Sequence, residues 1–339
     1  MYLLKTIARR IVLPTIQHLG IERLFSRFSN VDTVILCLHG VSKSTNFKIN
    51  NRHMPVEEFE KLIAYLAKHF EIIPIEKINE KPLTKNSKKR VCLTFDDGYL
   101  NNFETALPVL EKYKAPATFF ILTKGLQETT FMAWADVLDL FLFGYTEDSI
   151  QLNQFHFKRE SNRFVCFERN NQSIHEYLKL LGEEKYFHLE QLINKQPDFK
   201  ANCIKYKDYW KLVHSEDLKK YALNSYVSIG SHTVHHLNLS ETPLETVSKE
   251  LHDSKMELEK LLDLKIDTIA YPDGSYNEAV KNIAETVGYQ MQFAVDFKSP
   301  SIDDLDTRIY PRFSISNSTT WQSNIIRLNL QFSKYGIRN

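Results

Sequence analysis

Short apolar runs alternate along the chain with stretches in which apolar residues recur at helical spacing. TVILCLHGV ends in His39-Gly40. A polar stretch to Met54 follows, then EEFEKLIAYLAKHF, whose periodicity predicts a helix opening after Pro55, and EIIPI as a short strand. The pattern then repeats. RVCLTF runs into Asp96-Asp97-Gly98 and is followed by a helix over NNFETALPVLEKY and a strand at ATFFIL. YVSIGS runs into HTVHH before a helix over TPLETVSKELHDSKMELEKLLD; DTIAYP, NEAVKNIAETVG and MQFAVD continue as strand, helix and strand. Such alternation predicts parallel βα units, and this many of them favour a closed or partly closed barrel over an open sheet.

Residues 127–207 break the rhythm with an aromatic stretch (FMAWADVLDLFLFGY), a hairpin pattern (SIQLNQFHFKRESNRFVCFER) and polar helical sequence. They read as an insertion. Because loops at the C-terminal ends of barrel strands shape active sites, this one is expected to cover or widen the site. Residues 1–30 read as an amphipathic basic helix broken near Pro14, a docking element, with membrane-surface contact through residues 1–28 left open. They lack a small-residue cleavage site, and no apolar run approaches the roughly 20 residues of a spanning helix. The expected organisation is therefore this helix, a barrel over 31–316 and a C-terminal helix over 317–339, in a cytoplasmic protein peripheral at most to the inner face of the membrane.

Composition narrows the function. With 339 residues and 43% hydrophobic positions the chain can bury a sizeable core, and 43 basic against 42 acidic residues leave no global field to draw nucleic acid. The ten glycines are too widely spaced for GxGxxG, P-loop or GxSxG motifs, which excludes the usual nucleotide-binding and serine-hydrolase signatures. Cysteines 37, 92, 166 and 203 form no CxxC pair and read as reduced thiols, Cys37 and Cys92 as small buried hydrophobes.

Two clusters carry candidate chemistry. Asp96-Asp97 stands at the end of an apolar strand, and adjacent carboxylates repel unless a cation or a shared proton relieves them. Alone, Asp-Asp-Gly also fits a simple turn. Ser231-His232-Thr233-Val234-His235-His236 follows a second strand, and the spacing of His232 and His236 would place both imidazoles on one side of a helical turn. Two imidazoles and a carboxylate make a three-ligand site with open positions, as in catalytic zinc and related centres. Thr233 stands where HExxH needs glutamate, which argues against a zincin protease, and the short His-x-carboxylate pair of ferrous oxygenases is missing.

TFDDG (94–98), HTVHH (232–236) and AYPDG (270–274), together with Leu38-His39-Gly40-Val41, resemble the motifs of the NodB-homology polysaccharide deacetylases, also called carbohydrate esterase family four. The resemblance covers roughly residues 31–313. It implies an incomplete or distorted (β/α)7 barrel and metal-dependent removal of an N- or O-acetyl group from an acetylated amino sugar in a polysaccharide or its precursor. It further implies Asp96 as catalytic base and Asp97, His232 and His236 as ligands of one divalent ion, with zinc expected and cobalt, nickel, manganese or iron also compatible. Ala270 stands where many members carry an arginine that pairs with the base, and the C-terminal LxLH motif with the usual general acid is not visible. His39 is the candidate acid in its place, with His235 a weaker one. Tyr99, Tyr271 and Asp273, and Tyr276 beside them, are candidate sugar contacts; Trp134 and Trp210 read as core anchors of the insertion. Two alternatives stay open: another metal-dependent hydrolase of non-peptide C–N bonds on the same barrel, and a non-catalytic sugar-binding homologue.

Overall fold

The computed structural model describes residues 31–43, 49–80, 88–161, 163–295, 306–315, 317 and 320–332, with isolated positions 15, 20, 23, 26 and 29. The N-terminal helix expected over 1–30 and the last seven residues of the expected C-terminal helix lie outside that set, apart from those isolated positions.

Seven parallel strands form a ring: β1 (Thr33–Leu38), β2 (Arg90–Phe95), β3 (Ala117–Ile121), β4 (Val227–Ser231), β5 (Thr268–Ala270), β6 (Met291–Val295) and β7 (Ile309–Ser314). The ring is closed. β1 pairs with β7 on one side and, from Thr33↔Arg90 to Leu38↔Phe95, with β2 on the other, so the barrel is distorted but not incomplete. The distortion lies between β4 and β5, which share only the pair Ser231↔Ile269. EIIPI contributes Glu71–Ile72 as a short partner to the start of β2, outside the ring.

Alternation along each strand sorts the core into two layers. Val34, Leu36 and Leu38 of β1, Val91, Leu93 and Phe95 of β2, and Ala117, Phe119 and Ile121 of β3 pack against Phe59, Leu62 and Leu66 of helix Val56–His69 and Leu251 and Leu258 of helix Leu244–Leu262. The intervening Ile35, Cys92 and Phe120 join Ala270 and Phe293 inside the barrel, plugged by Ile73, Ile75 and Ile78. Gly230 belongs to this inner face: a Cβ there would sit 2.5 Å from the Phe120 ring, so only glycine lets the aromatic fill the interior. Continued past the strand ends, the same period turns His39, Asp96 and His232 inward.

The insertion between β3 and β4 has its own core. Leu138 and Phe141 of helix Trp134–Gly144 meet Leu178, Leu189 and Phe157 beside an antiparallel meander of Ser149–Leu152, Phe155–Glu160, Arg163–Cys166 and Gln172–Ser173. Helix Ile174–Lys179 starts on a capping box between Ser173 and Glu176, which fixes the orientation of the short helix that reaches the barrel mouth. At the other end, helix Trp321–Gln331 is capped by Thr320, and Phe332 stacks on Phe70.

Phe119 lies between Phe95 and Phe103, with ring centroids 5.0 and 4.8 Å away. Phe119→Ala should lower the unfolding free energy by about 3–5 kcal/mol, read from denaturant titration, because the ring's place between strand and helices cannot collapse.

Candidate active site

Asp96 is the first residue past β2 and points into the barrel. From β7, Arg312 crosses the interior, its Nη1 donating to Asp96 Oδ1 at 2.6 Å and Nη2 to Oδ2 at 2.7 Å. Nη1 also donates to Thr94 Oγ1 at 3.1 Å, and the Cys37 thiol donates to Asp96 Oδ2 at 3.3 Å. Both partners of the ion pair are buried, Arg312 at 1% exposure. Burial pushes the Asp96 carboxyl up, but the Arg312 guanidinium outweighs it and holds the acid at about 2. Ala270 leaves Asp96 without the arginine expected from β5; Arg312 supplies one from a different strand. The signal was present in the sequence, since an arginine inside IYPRFS must find an anionic partner if its strand is buried. Cys37, read as a small hydrophobe, is buried but touches Asp96.

Asp97 faces the other way. It takes a left-handed φ of 70° and Gly98 one of 73°, so the chain turns sharply and the two carboxylates separate. Asp97 Oδ1 lies 3.5 Å from His232 Nε2 and 3.4 Å from His236 Nε2, and it is buried with no hydrogen bond among the described residues. Segment 232–236 is not the helical turn that the four-residue spacing predicts. Thr233 and His236 have φ of 69° and 57°, and this irregular loop brings the two rings to 5.1 Å.

The donor set fits a divalent cation. A buried carboxylate oxygen that makes no hydrogen bond among the described residues faces two imidazole nitrogens, and two donors about 2.1 Å from one zinc-sized ion at tetrahedral angles stand roughly 3.4 Å apart. His232 Nδ1 meets Ala270 O at 2.8 Å, which orients the ring and leaves Nε2 as the ligating nitrogen. Burial lowers His236 to about 4, with Asp97 opposing it; burial also works against His232, but Asp96 and Asp97 outweigh it and raise that ring. The Trp134 indole N–H donates to His236 Nδ1 at 3.2 Å. A neutral imidazole ligating through Nε2 carries its proton on Nδ1, so the indole and a metal compete for the ring's tautomer.

These groups open onto a cavity of about 280 Å³ at the C-terminal mouth of the barrel. His39, Asp96, Asp97, Tyr99, His232, His236 and Asp273 line its barrel side, and Trp134, His175 and Lys179 line the side built by the insertion. Arg52 joins the two: it meets Asp136 at 2.5 Å and Asp139 at 2.8 Å, while His175 contacts Asp139 at 2.7 Å. Burial pushes Asp136 up to about 7 against the pull of Arg52, and the Tyr99 hydroxyl donates to Asp136 Oδ2 at 2.9 Å. Arg52, His175 and Lys179 were not singled out in the sequence, because nothing local marks a charged residue on a loop or short helix as facing a distant strand end.

The other expected contacts divide. Tyr99 and Asp273 line the cavity, Asp273 paired with Lys179 at 3.0 Å. Tyr271 does not: it is buried in the outer core and its hydroxyl donates to Gln292 Oε1 at 2.6 Å, with Tyr276 stacked on its ring. His235 turns away from the cavity onto Glu250, with its Nδ1 2.6 Å from Oε1, so it is no acid for this site. Trp134 is buried and faces the cavity as well as the core, whereas Trp210 packs on the insertion core and donates to Cys203 O. His39 lines the cavity, and a ring nitrogen of His39, an Asp96 oxygen and Cys37 Sγ lie within 4.8 Å of one another.

The family model described as polysaccharide deacetylase matches residues 84–146 and 172–292, more than half of the chain and both clusters of acids and histidines. The chain belongs to the polysaccharide deacetylase family. The interval between the two matched segments falls on the meander of the insertion. YxkH of Bacillus subtilis (strain 168), placed by its name among the polysaccharide deacetylases, is 25% identical over 260 residues, covering 76% of this chain and 62% of the relative. A poly-beta-1,6-N-acetyl-D-glucosamine N-deacetylase of Staphylococcus aureus is 27% identical over 132 residues, 38% of this chain and 44% of the relative. The chain thus spans less than two thirds of these relatives' lengths. Among solved structures, the Streptococcus pyogenes deacetylase PplD superposes with a TM-score of 0.56 at 17% identity, covering 90% of this chain and 99% of its own. IcaB from Ammonifex degensii gives 0.53 at 16%, covering 88% and 97%. At these identities the likeness is one of fold: the deacetylase (β/α)7 barrel.

Replacing Arg312 by Met strands the Asp96 charge and should cost about 3–5 kcal/mol in unfolding free energy at pH 7. The sign of the pH dependence follows from the depressed Asp96. Its contribution is fully present above the unfolded value of about 4 and is lost as pH falls through about 2. Denaturant titrations across that window should show the wild type losing stability more steeply than Arg312→Met, whose unpaired carboxyl gains from protonation.

Proposed function

We propose that this chain is a divalent-metal-dependent deacetylase that hydrolyses the N-acetyl, or O-acetyl, group of an acetylated amino sugar in a polysaccharide or its precursor. One observation carries the reading: a carboxylate held ionised by a buried arginine stands in the same cavity as a carboxylate and two imidazoles arranged to hold a cation. Asp97, His232 and His236 would hold the ion, zinc being the first choice for this donor set. When bound, it supplies Lewis-acid polarisation of the acetyl carbonyl and a water of lowered pKa.

The protein's own groups do the rest. Asp96 accepts the proton of the attacking water, and Arg312 keeps it ionised and fixes its plane through two parallel hydrogen bonds. His39 lines the same mouth, and burial lowers its pKa, so it starts neutral and can relay a proton from the base side to the leaving nitrogen. Trp134 and Tyr99 present aromatic surface to a sugar face, and Asp273 offers a carboxylate to its hydroxyls. The wall built by the insertion excludes bulk water from one side. The S. aureus relative, by its name, acts on β-1,6-linked N-acetylglucosamine, which makes that glycan the first substrate to try.

Acetate release from such oligomers should be abolished by chelation and restored by zinc or cobalt. Asp96→Asn should lower the rate by about 10²–10⁴-fold while still binding the ion, whereas Asp97→Asn should lose the ion as well. A bound ion should also change the tryptophan fluorescence of the wild type, and Trp134→Phe should remove that change. Activity that survives chelation would overturn the metal-dependent reading; release of ammonia from cyclic amides in place of acetate from sugars would favour a different C–N hydrolase.

Among the described residues no helix is long and apolar enough to cross a membrane. Cytoplasmic placement with peripheral contact through residues 1–28 remains part of the proposal and rests on the basic amphipathic sequence. Deleting residues 1–28 should shift the protein from anionic vesicles to the supernatant in a sedimentation assay; an unchanged distribution would count against that contact.

A further inference from the structure

The cavity is small and its far wall is fixed. At about 280 Å³ among the described residues it lies near the lower end of the roughly 300–1,000 Å³ of sites that engulf drug-sized ligands, on the scale of one pyranose ring and its acetamido arm. The wall is helix Ile174–Lys179 and the start of helix Trp134–Gly144, and it is tied to the barrel at several separated points. Lys179 Nζ meets Asp273 Oδ1 at 3.0 Å on the loop after β5. Arg52, on the loop after β1, holds Asp136 and Asp139. The Trp134 indole reaches His236, and the Tyr186 hydroxyl donates to His235 O at 2.6 Å on the loop after β4.

A segment pinned to three barrel loops, with a hydrophobic core of its own, is a wall rather than a swinging lid. An interior unit of a polymer carries a glycosidic neighbour on each side, so a ring seated against Asp96 and Asp97 would drive one of those neighbours into the wall. A terminal unit has one neighbour, which can leave through the side that the described residues leave open.

We propose that this site takes the terminal acetylated sugar of a chain, or of a carrier-linked precursor, and rejects interior units. The inference rests on the deacetylase reading above. Its test uses the full chain with zinc and β-1,6-linked N-acetylglucosamine oligomers of increasing length, labelled at the reducing end, with the freed amines located by tandem mass spectrometry. The expected result is one acetate released per chain at every length, from the same terminal unit, at a rate that does not rise with length. Freed amines at interior units, or a rate that grows in proportion to length, would overturn the inference and leave the deacetylase reading standing. Release of no acetate at any length, the single sugar included, would bring down the deacetylase reading and this inference with it.

Discussion

Two carboxylates, neighbours in the chain, are buried together at the mouth of a hydrophobic barrel. In a medium of low polarity neither can stay charged without a dedicated partner, and both are held below the ordinary carboxylate range. Much of the barrel's asymmetry answers that demand. A guanidinium spans the interior from β7 to meet the first carboxylate, and two imidazoles from the loop after β4 meet the second. The closed ring matters here, because Arg312 reaches Asp96 only if β7 lies across β1 from β2, with Cys37 between them.

The same electrostatic demand divides labour between two side chains of one kind. Asp96, held by two bonds from Arg312 and one from Cys37, stays anionic and keeps acceptor capacity to spare. Asp97 keeps one oxygen free of any hydrogen bond among the described residues, facing two imidazole nitrogens, which is the arrangement the proposed cation needs. The insertion adds a second polar layer, Asp136 and Asp139 sharing the Arg52 guanidinium, whose geometry ties the insertion and its own core to the barrel.

Much of this was legible in the sequence. Strand alternation and the motif residues pointed to the barrel rhythm, the insertion and the seven side chains on the barrel side of its mouth, because these sit on or just past the strand ends. Arg312 was missed for the opposite reason: its partner is 216 residues away, and β7 lies beyond a stretch where the apolar pattern fades. Tyr271 was misjudged because a tyrosine beside a motif looks the same in sequence whether it faces sugar or core; only the packing of helix Glu278–Val287 and β6 around it decides. The histidine loop was misjudged because four-residue spacing also suits a turn built from two left-handed residues, a conformation that β-branched side chains such as Thr233 tolerate poorly and functional loops nevertheless use.

The left-handed turn at Asp97 ties function to the parity of the chain. Along β2 inward and outward positions alternate, so the residue at the strand's end is committed to Arg312 by counting alone, and the next can address the histidines only because the backbone reverses there. Losing or gaining a single residue between Cys92 and Asp96 would leave the composition almost intact and exchange the faces of everything after it, aiming an aromatic ring at the arginine and a carboxylate at the oily layer beneath the helices. This stretch can therefore vary in side-chain identity far more readily than in length.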